Sequence, residues 1–293
     1  MHVSKKGRGS KSRKMDVAIA EDLKYMGGFG IASPSVQIFV TGPKTFRETL
    51  SADEKAKILA YVTAHDTALV IHGAYVDRPW GNIAGAIANV KLELQIGAEI
   101  GATGVVVHLS AGCAEDGEFK RALTEICNVE LPRPQTLWLE IHSAKSSNFT
   151  YETSEKLQRL FARIASYGLN ARNVRIGLCI DTAHLFACGM SLETYDAAKT
   201  WIDGLPPGIP VMMHLNDSAS SLDSGIDKHE VLLEGNIWSA YHPTRGRLPF
   251  ENSGLNYLLE WADSNSIMTI LERDDDDLHK DLKVIHELGF YIK

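Results

Sequence analysis

Short apolar, β-branched runs recur along the chain, and the segments between them carry helical spacing. The runs begin at Val36 (VQIFVTG), Ala68 (ALVIHG), Gly104 (GVVVHLS), Thr136 (TLWLEIHS), Arg175 (RIGLCIDTAH), Val211 (VMMHLND) and Ile267 (IMTILERD). Their starts lie 32 to 39 residues apart, except for a last interval of 56. A strand, a helix and two loops need roughly 30 residues or more, so most intervals hold one βα unit. The runs are apolar on both faces, as strands of a buried parallel sheet are. Between them, Ser51 and Glu54 make a capping box ahead of AKILAYVTAH. Val90, Leu92, Leu94 and Ile96 punctuate a helix over 89–100, and Leu157, Leu160, Phe161 and Ile164 another over 154–165. A final helix is expected after the acid run 274–277, since negative charge is favourable at a helix N-terminus. The segment HVS at 2–4 is the candidate for an eighth strand, cut very short. Eight parallel strands alternating with helices form a (β/α)8 TIM barrel. No linker, repeat or low-complexity stretch divides the chain, so residues 1–293 read as a single TIM-barrel domain. Residues 5–14 read either as a basic loop after strand one or as a tail. Gly27, Gly28 and Gly30 lack the GxGxxG spacing and read as a turn.

Composition narrows the setting. Hydrophobic residues make up 44% of the 293, enough for a sizeable core. No apolar run reaches the ~18 residues that span a membrane, and no apolar segment follows the basic N-terminal stretch as in a signal peptide. Cys113, Cys127, Cys179 and Cys188 form no CxxC pair and read as reduced thiols. An intracellular, cytoplasmic protein with no membrane partner is expected. The net charge of −7 argues at first against a nucleic-acid partner. One basic cluster stands out against it: Lys5, Lys6, Arg8, Lys11, Arg13 and Lys14. There is no GxSxG, HExxH or Walker loop.

The candidate chemistry lies at the ends of the runs. His72, His108, Glu140, Asp181, His214 and Glu272 each close one of six successive strands, with His184 one turn beyond Asp181. Asp227 and His229 fall in the long connection after His214. Strand C-termini of a parallel barrel converge on one face, where active sites lie. Singly, each residue has a bland explanation, such as a hydrogen-bonded core histidine or a loop acid. Jointly, five His and four carboxylates converge on one face. Nine donors exceed the roughly four that one Zn²⁺ takes. They suit two or three ions sharing a carboxylate, and mixed imidazole and carboxylate donors favour Zn²⁺, with Mn²⁺ or Fe possible. Such clusters cleave phosphate esters. Three divalent ions would offset six of the seven excess negative charges, so acidity stops counting against DNA.

The blocks IHGAY (71–75), VVHLS (106–110), LE (139–140), CIDTAH (179–184), HLND (214–217), DKH (227–229), EGN (234–236) and ILE (270–272) resemble the signature of the endonuclease IV family of AP (abasic-site) endonucleases. They occur in the family's order across nearly the whole chain. HGAY, GPK (42–44) and SGIDKH are most similar to members from large DNA viruses. The resemblance implies a TIM barrel holding about three zincs: one on His72 and His108, a second on Asp181, His214 and Glu272, with Glu140 bridging these two, and a third on His184, Asp227 and His229. It implies a base-excision-repair enzyme, with Glu140 and Glu272 as catalytic carboxylates. Such an enzyme cleaves double-stranded DNA 5′ to an abasic site, leaving a 3′-hydroxyl and a 5′-deoxyribose phosphate; trimming of blocked 3′ ends would be a further activity. Tyr75 matches a side chain the family inserts into the DNA stack. Lys44 falls where the family usually has Arg, whose planar guanidinium it lacks. Lys5 and Lys6 would reach flanking phosphates if HVS is strand one. A monomer is expected, in the cytoplasm or, if virus-encoded, a viral factory or virion. Two rival readings are a divalent-metal sugar isomerase of the xylose-isomerase type, which relies more on carboxylates and a Lys, and a non-catalytic DNA-lesion binder, which need not retain nine donors.

Overall fold

The computed structural model describes residues 1–5, 12–30, 34–75, 79–81, 84–110, 113, 116–143, 150–273 and 278–290. Lys6, Arg8 and Lys11 of the basic cluster and the acid run 274–277 lie outside them. In chain order the elements are β1 (His2–Val3), α1 (Met15–Gly27), β2 (Ser35–Ile38), α2 (Ala52–Ala64), β3 (Ala68–His72), α3 (Ala86–Ile100), β4 (Gly104–His108), α4 (Asp116–Cys127), β5 (Gln135–Glu140), α5 (Ser154–Ser166), β6 (Val174–Asp181), α6 (Thr182–Ala187), α7 (Tyr195–Asp203), β7 (Val211–His214), β8 (Asp217–Ser218), β9 (His229–Glu230), α8 (Gly254–Asn265), β10 (Met268–Ile270) and α9 (Leu278–Glu287). Strands β1 to β7 and then β10 lie side by side in that order, each neighbouring pair parallel. The His2 N–H donates to the Leu271 carbonyl at 3.1 Å, leading the ladder back from β10 to β1. This is the expected (β/α)8 TIM barrel, nearly closed, with HVS as its first strand. Between β1 and α1, the Arg13 N–H bonds to the Lys5 carbonyl at 2.9 Å.

Local signals place the helices. The Ser51–Glu54 capping box forms as expected, with each residue's side chain accepting the other's N–H. Thr153, Thr194 and Ser253 cap α5, α7 and α8 in the same way, each oxygen accepting an N–H three residues on. The helix expected over 89–100 begins three residues earlier, because Gly85 adopts a left-handed φ of 87° that starts the turn. The oversized last interval holds the short antiparallel β8–β9 ladder and α8.

Side-chain alternation divides each barrel strand between two surroundings. Ile71, Val107, Leu139, Ile180, Met213 and Leu271 face outward and join the core cluster that includes the helices. Val70, Val106, Trp138, Cys179, Met212 and Ile270 face inward and form a separate buried layer. Trp138 is the bulkiest member, and its partner across the ladder is Gly177. A Cβ on Gly177 would lie 2.6 Å from Trp138 Cε3, so only glycine fits beside the ring. Two residues beyond each inward apolar residue, on the same side of the same strand, comes His72, His108, Glu140, Asp181, His214 or Glu272. The apolar layer is therefore the floor on which the polar layer stands.

Candidate metal centre

Glu140 is the centre of the polar layer and is fully buried. Its Oε2 lies 3.5 Å from His72 Nε2 and 3.2 Å from His108 Nε2. Its Oε1 lies 3.0 Å from His214 Nδ1 and 3.3 Å from His184 Nδ1. One carboxylate thus presents its two oxygens to two groups of imidazoles. Glu272 Oε2 stands 3.2 Å from His214 Nδ1, and Asp181 Oδ2 3.8 Å from the same atom. On the far side, Asp227 Oδ2 lies 3.2 Å from His184 Nε2 and its Oδ1 3.1 Å from His229 Nε2. Two tetrahedral donors each about 2.0–2.1 Å from a zinc are about 3.3 Å apart; many of these spacings are of that size. Donor atoms of His72, His108 and Glu140 gather within reach of one ion, as do those of Glu140, Asp181, His214 and Glu272, and those of Asp181, His184 and His229. Glu140 Oε2 is buried yet accepts no hydrogen bond among the described residues. A cation between it and the His72 and His108 nitrogens would satisfy it, so the donor set fits metal.

The scaffold aims these donors. Nδ1–H of His72 donates to the Gly73 carbonyl at 2.7 Å, that of His184 to Ile141 at 2.7 Å, and that of His229 to Glu272 at 2.9 Å. Each bond leaves Nε2 free to ligate. Asp181 caps α6 with Oδ1, 2.8 Å from the His184 N–H, while Asn216 Nδ2 donates to its Oδ2 at 2.8 Å. Asn216 also accepts the Glu272 N–H at 3.1 Å. Asp217 accepts N–H bonds from Ser218, Leu233 and Ile237 at 2.8–3.0 Å. With the β8–β9 ladder, this ties the long connection back to β7 and brings Asp227 and His229 over the barrel mouth. The CIDTAH and HLND blocks therefore hold candidate ligands and also the residues that orient them.

Electrostatics follow from the crowding. Burial opposes charge on His229, but Asp227 and Asp181 raise it to about 9. At His184 burial is likewise overcome, by Asp181, Asp227 and Glu140, and its pKa sits well above the ordinary value. Burial prevails at His108 and pushes it down to about 3 despite Glu140. Burial would raise Glu140, but His108 and His214 hold it well below the usual carboxylate range. Protons and metal ions compete for such nitrogens, so metal binding would release protons. Cys179 also comes within ligand reach of Glu140 and His214. Burial pushes its thiol up to about 12, which disfavours the thiolate a metal needs; all four cysteines are unpaired and buried.

Above the polar layer lies an open cavity of about 520 Å³, whose wall includes His72, His108, His184, Asp227 and Glu272. Tyr75 stands on its rim with 52% of its surface exposed. The Tyr75 N–H donates to the Pro43 carbonyl at 2.8 Å, which sets the exposed Lys44 on the neighbouring loop. Lys5 is engaged by the protein itself, donating to the Thr49 carbonyl at 2.6 Å and pairing with Glu54 at 3.2 Å. Arg13 pairs with Glu21 and Asp22, and Lys14 with Asp53. Lys6 lies outside the described residues. Sequence reasoning passed over five residues at or beside the site: His2, Glu230 and Arg273 line the cavity, His142 has its ring centroid 5.0 Å from that of His108, and Gln37 touches two of the donors. Gln37 carried a signal, a lone amide inside an apolar strand.

Fold and site together define a barrel enzyme with groups of His, Asp and Glu at the strand C-termini that could hold metal ions. Residues 32–288 match the xylose isomerase-like TIM barrel family. The chain is 32% identical over 264 residues to a probable AP endonuclease of African swine fever virus, covering 88% of this chain and 84% of that protein. The crystal structure of AsfvAP:AG aligns with a TM-score of 0.85 at 28% identity, over 98% of this chain and 96% of the other. Endonuclease IV from Thermus thermophilus shares the fold, with a TM-score of 0.69 at 21% identity, over 92% and 93% of the two chains. The chain belongs to the xylose isomerase-like TIM barrel family and, within it, to the endonuclease IV group of AP endonucleases, with a resemblance to members from large DNA viruses.

Proposed function

We propose that the chain is a zinc-dependent AP endonuclease that hydrolyses the phosphodiester 5′ to abasic sites in double-stranded DNA, leaving a 3′-hydroxyl and a 5′-deoxyribose phosphate. The observation that carries this reading is Glu140, whose two oxygens face two groups of imidazoles, with Asp227 joining His184 and His229 beyond them. Three zincs fit: one on His72 and His108, one on Asp181, His214 and Glu272, Glu140 spanning both, and one on His184, Asp227 and His229. Bound there, the ions would supply Lewis acidity to the phosphate and the leaving oxygen and lower the pKa of a water. Glu140 and Glu272 hold the first two sites together from below. Tyr75 and Lys44 flank the open mouth and would meet the DNA beside the lesion, the tyrosine by stacking and the lysine as a phosphate contact. Lys6 would add to the charge available to the flanking backbone, whereas Lys5 is held by Thr49 and Glu54. Trimming of blocked 3′ ends uses the same bond class, and the protein would act as a monomer in the cytoplasm or a viral factory. A sugar isomerase of this fold would set a Lys against its ions; among the described residues no Lys lines the cavity. The test is elemental analysis of gently purified protein together with cleavage of a duplex bearing one abasic site. About three zincs per chain and a ligatable 3′-hydroxyl are expected. A single tightly held metal with no cleavage would overturn the proposal.

A further inference from the structure

Gln37 sits in the middle of β2 with its side chain fully buried. Its Nε2 lies 2.6 Å from Glu272 Oε1 and 3.2 Å from His2 Nδ1, and its Oε1 lies 2.9 Å from His214 Nε2. Elementary hydrogen-bond chemistry fixes the orientation. A carboxylate oxygen only accepts, so the amide NH₂ must face Glu272. The amide oxygen then faces His214, and because it too only accepts, His214 Nε2 must carry a proton. A neutral imidazole with its proton on Nε2 has its lone pair on Nδ1. Nδ1 is the nitrogen that faces Glu140 Oε1 at 3.0 Å and Glu272 Oε2 at 3.2 Å. His72, His184 and His229 work the other way round, each bonding Nδ1 to a backbone carbonyl. His214 differs from these three, because its second nitrogen is held by a side chain.

We propose that Gln37 is a positioning residue for the metal site of His214 and Glu272: one amide fixes the tautomer of the imidazole and, by holding Oε1, turns Oε2 of the carboxylate toward the same ion. The inference rests on His214 and Glu272 being zinc ligands, as proposed above. An apolar side chain at 37 would leave both the His214 N–H and Glu272 Oε1 without their buried partner. His2 steadies the second amide hydrogen, which keeps the amide from turning over.

The test is competition for Zn²⁺ between the full chain and a chromophoric chelator, run on wild type, Gln37→Leu, His214→Ala and Glu272→Gln. Gln37→Leu should weaken one of the bound zincs by about 10- to 100-fold, the usual cost of losing a partner of a metal ligand, and leave the others unchanged. His214→Ala should lose that same ion outright. If His214→Ala and Glu272→Gln keep every zinc, the ligand reading fails. If they lose one while Gln37→Leu binds as tightly as wild type, the ligand reading stands and the role of Gln37 is refuted. Long-range ¹⁵N–¹H NMR of the zinc-loaded wild type needs no variant at Gln37. The His214 signal, assigned by its absence in His214→Ala, should carry its proton on Nε2; a proton on Nδ1 overturns the proposal even if Gln37→Leu does not fold.

Discussion

Replacing Glu140 by Ala should separate a metal bridge from an ordinary buried carboxylate, because the two predict different melting behaviour. The packing around it is not disturbed: Leu139 and Leu137 belong to the outward core, and Trp138 to the floor beneath. The loss is therefore one of ligands, and the two zincs that Glu140 would share each lose one. If each binds about 100-fold more weakly, each stabilises the loaded fold by about 2.7 kcal/mol less. Two such losses come to about 5 kcal/mol. With an unfolding entropy of about 2 cal/mol/K per residue, a chain of 293 residues should melt about 9 °C lower than loaded wild type. In excess chelator the two proteins should melt within a few degrees of each other. Cleavage of an abasic duplex should fall by about 10³-fold or more, the order expected when an electrostatic support of the transition state is removed. The assay is calorimetry with and without chelator, beside single-turnover cleavage. An equal drop in melting temperature in both conditions would show that Glu140 only fills space. Near-normal cleavage by the folded variant would refute its role as bridge.

Gly177→Ala should lower stability by about 1–3 kcal/mol, because the new methyl overpacks against Trp138; an unchanged denaturation midpoint in urea would contradict the geometry. Glu54 accepts N–H bonds from Ser51 and Met15 and pairs with Lys5; burial acts against it, yet these partners lower its pKa to about 2. A lowered carboxylate pKa contributes stability above the unfolded value near 4.5 that is lost as pH falls toward 2. Glu54→Gln should therefore cost about 2–3 kcal/mol at pH 6 and much less at pH 2.5, and a cost independent of pH would exclude this linkage. Substituting Ser for Lys6, Arg8 and Lys11 should flatten the log–log salt dependence of DNA binding by about 0.9 for each phosphate left without its cation. Lys5, Arg13 and Lys14 already pair with the protein's own acids, so the same change there should lower stability more than salt slope. Equal salt slopes for wild type and both triple variants would place the DNA-facing charge elsewhere, with Lys44 and Lys228 first in line.

The sequence by itself determined the barrel and the level of the site within it. A parallel strand alternates its side chains between barrel interior and helices. The apolar residue that fills the floor therefore fixes, two positions later, which residue looks into the mouth: Val70 sets His72, Trp138 sets Glu140, Met212 sets His214. That is a local rule, so it can be read from one strand at a time. The helices α4 and α8 were implied by the interval lengths without bounds, although Phe119, Ala122, Leu123 and Ile126, and Leu255, Leu258, Leu259 and Ala262, are at helical spacing. Only the tertiary structure decided the rest, because it depends on groups far apart in the chain meeting at hydrogen-bond range. Asp227 and His229 reach the site through a ladder between β8 and β9 and the carboxylate of Asp217. The charges of Lys5, Arg13 and Lys14 are matched by acids on or beside α1 and α2. The nitrogen that His214 offers is chosen by Gln37, 177 positions away in sequence. No periodicity encodes such a pairing; it exists only once closure of the barrel brings β2 and β7 to face each other across its interior.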